Sequence, residues 1–133
     1  MDLLLCIDDD PITIMLSKMV MTRAAYAKEI VTAQNGEDAL AYLDNLMATE
    51  NSPVPNLIFL DLNMPIMGGW EFLDAFSQEK YRTYFANSKV VVLSSTIDPR
   101  DIEKSKSYSM VLDFMSKPIS KELLEMVKSK LDA

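Results

Sequence analysis

The sequence predicts an α/β fold: a (βα)5 chain whose five strands form one parallel, doubly wound sheet between two layers of helices. Three observations predict this three-layer sandwich. Short apolar runs recur along the chain and are mostly continuous rather than alternating, which marks strands covered on both faces. Segments with helical spacing or helix-start signals separate those runs, so the elements alternate as right-handed βαβ units. The chain has 133 residues, 49% hydrophobic and 25% charged. That is enough for one core and one domain over 1–133.

Each element can be justified in order. Leu3-Leu4-Leu5-Cys6-Ile7 is an apolar run that stops at Asp8. Asp10 and Pro11 then make an N-cap and first helical residue. Behind them Ile12, Met15, Leu16, Met19 and Val20 fall at i, i+3, i+4, i+7 and i+8, a helical stripe. Glu29 to Ala33 reads as a short strand, and Asn35-Gly36 turns the chain. Ala39, Leu40, Leu43, Leu46 and Met47 form the second stripe.

Residues 51–56 have loop composition and lead into Leu57-Ile58-Phe59-Leu60, which stops at Asp61. Gly68-Gly69 breaks the chain before a third helix from about Trp70, with Leu73 and Phe76 inward. No periodicity between Tyr81 and Phe85 says how far that helix runs. Val90-Val91-Val92-Leu93 stops at Ser94, and Asp98-Pro99 starts a fourth helix. Val111 to Met115 is the fifth run, followed by Ser116, Lys117 and Pro118. Ser120 caps a last helix whose inward face is Leu123, Leu124, Val127 and Leu131.

Composition narrows the function. Thirteen basic residues against twenty acidic ones give a formal net charge of −7. Such a chain has no general attraction for nucleic acid or anionic lipid. The absence of His excludes a His-based triad, a His metal site and a His phosphocarrier. One cysteine, Cys6, excludes an internal disulfide framework and a multi-Cys zinc site. The opening apolar run is too short for a signal sequence, and no window is long enough to span a bilayer, so a cytoplasmic location is expected.

In open sheets of this kind the ligand crevice lies beyond the carboxyl ends of the strands. Beyond strand one stand Asp8, Asp9 and Asp10; beyond strand three, Asp61; beyond strand four, Ser94 and Ser95; beyond strand five, Lys117. Taken singly, each has a plain structural role as cap, turn residue, loop hydroxyl or surface charge. Together they put carboxylates, a hydroxyl and an ammonium on one edge. Two like charges about 4 Å apart repel by roughly 4 kcal/mol at an effective dielectric of 20. A proton or a cation must therefore relieve the cluster. Oxygen donors without His or Cys favour Mg²⁺, with Mn²⁺ as an alternative. The set has the makings of a phosphoryl-transfer site with a carboxylate nucleophile.

The motifs Ile7-Asp8-Asp9-Asp10-Pro11, Leu60-Asp61-Leu62-Asn63-Met64-Pro65 with Gly68-Gly69, Leu93-Ser94-Ser95 and Phe114-Met115-Ser116-Lys117-Pro118 span nearly the whole chain. In that order and spacing they resemble the receiver domain of two-component response regulators. The resemblance implies a flavodoxin-like sheet in the order 2-1-3-4-5 and a phosphoacceptor at Asp61. It implies Mg²⁺ held by Asp9, by Asp61, by the backbone carbonyl of Asn63 and, through water, by Asp8. Lys117 would contact the phosphoryl group, pairing with Asp61 before it arrives, and the Lys117-Pro118 bond would be cis.

Ser94 is implied as the switch hydroxyl, with Ser95 as its rival. Phe114 is implied as the switch aromatic, acting by packing because it lacks a hydroxyl. Asn63 and Thr96 would bear on phosphoryl lifetime. Trp70, soon after the Asp61 loop, is a candidate fluorescent reporter.

The expected donor is a sensor histidine kinase or a histidine phosphotransfer protein. The expected output is a change in the face made by helix four, strand five and helix five, read by a target protein as a monomer or a phosphorylation-linked dimer. The chain is expected to be a self-catalysed phosphoacceptor and not a turnover enzyme, a stand-alone receiver with no output domain. Three readings compete. One is a receiver-fold binding module that is never phosphorylated. A haloacid-dehalogenase-type phosphatase needs an acid where Asn63 stands, and a flavin binder needs an anion loop where three aspartates stand.

Overall fold

The computed structural model describes residues 1–64 and 66–133, so Pro65 of the Asp61 motif lies outside the described residues. The elements run β1 (Leu3–Ile7), α1 (Pro11–Arg23), β2 (Glu29–Ala33), α2 (Gly36–Ala48), β3 (Leu57–Asp61), α3 (Gly69–Phe76), α4 (Glu79–Tyr84), β4 (Lys89–Ser94), α5 (Pro99–Ser105), β5 (Val111–Ser116) and α6 (Lys121–Asp132). All strand pairs are parallel, and the sheet order is β2-β1-β3-β4-β5. This is the flavodoxin-like doubly wound sandwich expected from the sequence.

Apolar runs at the three central positions explain the sheet. Nearly every side chain of β1, β3 and β4 is buried, because helices cover both faces. The core is split by the sheet into two layers. One gathers Leu43, Phe72, Phe76 and Phe85 against alternate strand residues such as Ile58, Leu60 and Val92. The other gathers Met21, Leu123, Leu124 and Val127 against Leu4, Phe59 and Val91. Four helix starts carry side-chain caps, three as the sequence foretells and the fourth at Asn35, which was read as a turn. Asp10 accepts from the Ile12 amide, Asn35 from Asp38, Asp98 from Arg100 and Ser120 from Leu123.

Two features differ from the simplest reading. The third helix ends at Phe76, and a separate α4 follows after Ser77 and Gln78. Phe76, Tyr81 and Phe85 cluster there, and Tyr81 Oη donates to Asp44 at 2.6 Å, tying α4 to α2. The helix four foreseen after strand four is therefore α5, and the last is α6. Second, most of the apolar stripe of α1 is not its buried face, and of its five residues only Val20 packs against the core. Ile12, Met15, Leu16 and Met19 are exposed, while Ser17 and Met21 are buried. Small Ser17 lies on the side that packs onto the domain, and the bulkier stripe points away.

Candidate functional site

The site is assembled by strand ends. Ile7 of β1 pairs in register with Leu60 of β3, so Asp8 and Asp61 emerge side by side. Both are buried, whereas Asp9 and Asp10 are exposed. The Asp10 amide donates to Asp8 Oδ1 at 3.0 Å, and the Asn63 amide approaches Asp61 Oδ1 at 3.4 Å. Ser94 pairs with Ser116 at the ends of β4 and β5, and the Lys117 amide donates to the Ser94 carbonyl at 2.8 Å. From there the Lys117 ammonium crosses the sheet edge. Its Nζ lies 2.7 Å from Asp8 Oδ2 and 3.2 Å from Asp61 Oδ1. The Lys117-Pro118 bond is cis.

Lys117 thus bridges two carboxylates, with the shorter contact to Asp8. The sequence argument paired it with Asp61 alone. Ser94 and Ser95 are also distinguished: Ser94 is buried and its Oγ accepts from the Thr96 amide at 3.2 Å, while Ser95 is exposed. Thr96 and Asn63 stand exposed at the rim. Phe114 is half-buried and packs against the Phe72 layer of the core.

Burial, then the like charge of Asp8, raises the Asp61 carboxyl above its ordinary range, and Lys117 only partly opposes this. For Lys117, burial works to lower its pKa, but the hydrogen bond to Asp8 and the charges of Asp61 and Asp8 outweigh it, so the net direction is up. Cys6, buried on β1, is pushed up to about 12 by burial and then by Asp8, so its thiol stays protonated and is no rival nucleophile.

The sign of the Asp61 shift makes a prediction. A carboxyl raised on folding favours the native state below its unfolded value and loses that contribution as pH rises through its folded value. Ionised Asp61 therefore costs stability at neutral pH without divalent metal. An Asp61→Asn protein should melt a few degrees higher at pH 7, roughly the response to 1 kcal/mol. The gain should shrink as pH falls toward 4, and melting curves across that range check it.

The oxygens of Asp8, Asp9 and Asp61 can lie within 4.8 Å of one another. These hard donors fit a Mg²⁺-sized ion, which accepts a few carboxylates and keeps water. One residue escaped notice as part of the site. Gly69 was read as a chain breaker and as part of the Gly68-Gly69 motif without a packing role, yet a Cβ there would meet Leu62 Cα at 2.8 Å and the Asp61 carbonyl oxygen at 2.9 Å. The signal was available: a glycine pair just after a candidate site loop can mean close backbone approach.

Comparison with known proteins agrees with this geometry. Residues 4–128 match the family model described as the response regulator receiver domain. Among curated proteins, the chain is similar to "Response regulator Rcp1" of Synechocystis sp., 29% identical over 125 residues, covering 94% of this chain and 83% of that protein. It is also similar to "Two-component response regulator ORR41" of Oryza sativa subsp. japonica, 26% identical, covering 95% and 91%. A solved two component response regulator from Cytophaga hutchinsonii superposes with a TM-score of 0.87 at 33% identity, covering 98% of this chain and 96% of that one. No helix among the described residues is long and apolar enough to cross a membrane.

Proposed function

Because this chain belongs to the response regulator receiver family of two-component systems, we propose that Asp61 accepts a phosphoryl group from a phosphohistidine on a histidine kinase or histidine phosphotransfer protein. The observation that carries this reading is the meeting of the Asp8, Asp9 and Asp61 oxygens within 4.8 Å, with Lys117 Nζ 3.2 Å from Asp61.

A carboxylate oxygen of Asp61 attacks phosphorus, the nitrogen–phosphorus bond breaks, and its electron pair stays on the imidazole. An acyl phosphate results. Asp8, Asp9, Asp61 and the Asn63 carbonyl would hold Mg²⁺, or Mn²⁺ with the same donors. When bound, that ion supplies positive charge against the phosphoryl oxygens. Lys117 supplies a second positive charge, turning from its carboxylates toward the new group. The Ser94 hydroxyl, held by the Thr96 amide, can then donate to a phosphoryl oxygen, and the strand-end movement reaches Phe114 through packing. Thr96 and Asn63, at the rim, govern water access and so lifetime.

The product is a shifted population of the α5–β5–α6 face, which a target protein reads. In this reading the chain modifies itself and does not turn over a separate substrate.

Intact mass after incubation with acetyl phosphate tests the proposal. Wild type should gain one phosphoryl group with Mg²⁺ and none without it, and Asp61→Asn should gain none. An adduct that persists in Asp61→Asn would refute the assignment. If neither acetyl phosphate nor beryllofluoride acts on wild type, a phosphorylation-independent binding module becomes the better reading.

The exposed stripe of α1 suggests where the donor sits. Ile12 is 64% exposed, Met15 54%, Leu16 53% and Met19 43%. The stripe begins two residues after Asp10, at the mouth of the acidic pocket, and suits the apolar face of a helix carrying the phosphohistidine. A Leu16→Glu protein should lose at least about tenfold in transfer rate, a loss of about 1.4 kcal/mol. The donor would be an autophosphorylated kinase core that labels wild type. Labelling by acetyl phosphate should not change, because that small donor does not need the helix face. Equal losses with both donors would place the defect in the pocket instead.

A further inference from the structure

We propose that Trp70, Tyr108 and Lys104 form a latch that couples the Asp61 loop to α5, alongside any movement of Ser94 and Phe114. The proposal rests on the reading of Asp61 as phosphoacceptor. It begins with packing. Gly69 has no room for a Cβ against Leu62 and the Asp61 carbonyl, and its amide donates to the Leu62 carbonyl at 3.0 Å. The first turn of α3 is therefore seated directly on the phosphoacceptor backbone. Trp70 is the next residue, and it lines one cleft with Asn63, Met64 and Glu71.

On its other side Trp70 holds the far end of α5. Its ring stacks on Tyr108, with centroids 6.0 Å apart and planes 20° apart. Lys104 Nζ, from the last turn of α5, sits 4.6 Å from the Trp70 ring centroid. Tyr108 Oη donates to Asp74, one turn further along α3, at 2.6 Å. Burial, then the bond to Asp74, pushes the Tyr108 hydroxyl up to about 12, so it remains a donor at neutral pH. Three contacts of different chemistry thus join α3 to the α5–β5 corner.

Each contact needs a defined geometry. Stacking needs near-parallel rings, and the cation needs the ring face. The loop from Asp61 to Gly69 also contains Ile66 at φ 68, a backbone conformation that is costly for a β-branched residue. In this latch the segment 66–69, abutting Trp70, would act as the two-state element that coupling requires. With Lys117 bonded to Asp8 and Asp61 the latch is closed. When Lys117 turns to a phosphoryl group and the Asn63 carbonyl turns to a metal ion, the loop shifts Trp70, the stack opens and α5 is released.

The test reads α5 directly. Hydrogen exchange over residues 99–110 is followed with and without beryllofluoride and Mg²⁺, in wild type, in Tyr108→Leu with Lys104→Met, and in Tyr108→Phe. Emission from Trp70, the chain's single tryptophan, is recorded on the same samples. In wild type the analogue should speed α5 exchange at least about fivefold, the lower end of ordinary coupling, and should shift the emission. The double variant should exchange fast from the start and respond little further, while Tyr108→Phe, which keeps the ring, should retain most of the response. An α5 response of equal size in the double variant, or a wild-type response with Trp70 emission unmoved, overturns the latch. Mass measured after acetyl phosphate separates the two levels: an Asp61 adduct with a silent α5 defeats the latch alone, and no adduct with either reagent defeats the reading beneath it.

Discussion

A Lys117→Ala protein should lose about 3 kcal/mol of stability and gain no phosphoryl-dependent switching. The lysine side chain is 19% exposed, while those of Asp8 and Asp61 are 6% and 7% exposed. Removing the ammonium leaves two buried carboxylates facing each other with no cation between them. Truncating one partner of a buried pair costs far more than the pair contributes, because the remaining charge must be desolvated alone. Here two such charges remain and repel.

The same logic makes a second half to the expectation. Mg²⁺ should raise the melting midpoint more in Lys117→Ala than in wild type, since it offers positive charge where the lysine gave it. Acidification toward pH 4 should also narrow the gap, because the Asp61 carboxyl, already raised by burial and by Asp8, takes up a proton. Calorimetry with and without Mg²⁺ at two pH values measures both effects. A variant that melts within a degree of wild type without metal would mean that Lys117 does not hold the pair together in solution.

Gly69→Ala should cost about 1–3 kcal/mol, the usual range for overpacking, while Gly68→Ala costs far less. The contrast comes from adjacent residues in one short segment. A Cβ on Gly69 would meet backbone at 2.8 and 2.9 Å, and backbone cannot swing aside as a side chain can. A Cβ on Gly68 would meet the Leu62 carbonyl at 3.4 Å and Met64's at 3.7 Å, close to ordinary contact. The Gly69 substitution presses on the Asp61 carbonyl itself, so it should also slow labelling by acetyl phosphate. Urea titration of the two single variants, with labelling rates on the same preparations, checks both. Equal stability of the two would remove the seat on which α3 rests.

The central strands were legible because strands covered on both faces of a parallel sheet must be apolar on both faces, so each reads as a continuous run. Leu60 then Asp61, and Leu93 then Ser94, mark where the apolar runs stop, with Asp61 and Ser94 themselves the last, buried residues of β3 and β4. The site was legible for the same reason: the strand ends and the polar residues beyond them coincide.

Other features depend on facts that sequence spacing does not encode. Helical periodicity placed α1, but apolar residues on more than one side left open which face packs inward, and small Ser17 is the buried one. The break between α3 and α4 occurs at Ser77 and Gln78, without glycine or proline to announce it. Its cause is tertiary, in the Phe76, Tyr81 and Phe85 cluster and the Tyr81 bond to Asp44. The choice between Ser94 and Ser95 follows from where β4 stops, one residue's difference that propensity cannot resolve. Lys117 reaches past β4 to carboxylates on both β3 and β1, and sequence spacing does not say which contact is the shorter.

The position of Cys6 makes the chain convenient for site-specific labelling. Its sulfur is buried in β1 and kept as the neutral thiol. Maleimide dyes react with accessible thiolates, so the folded native protein should stay unlabelled. A cysteine introduced on the outer side of α5 would then be the one reactive sulfur. A single dye there could follow that helix optically, without first removing the native cysteine.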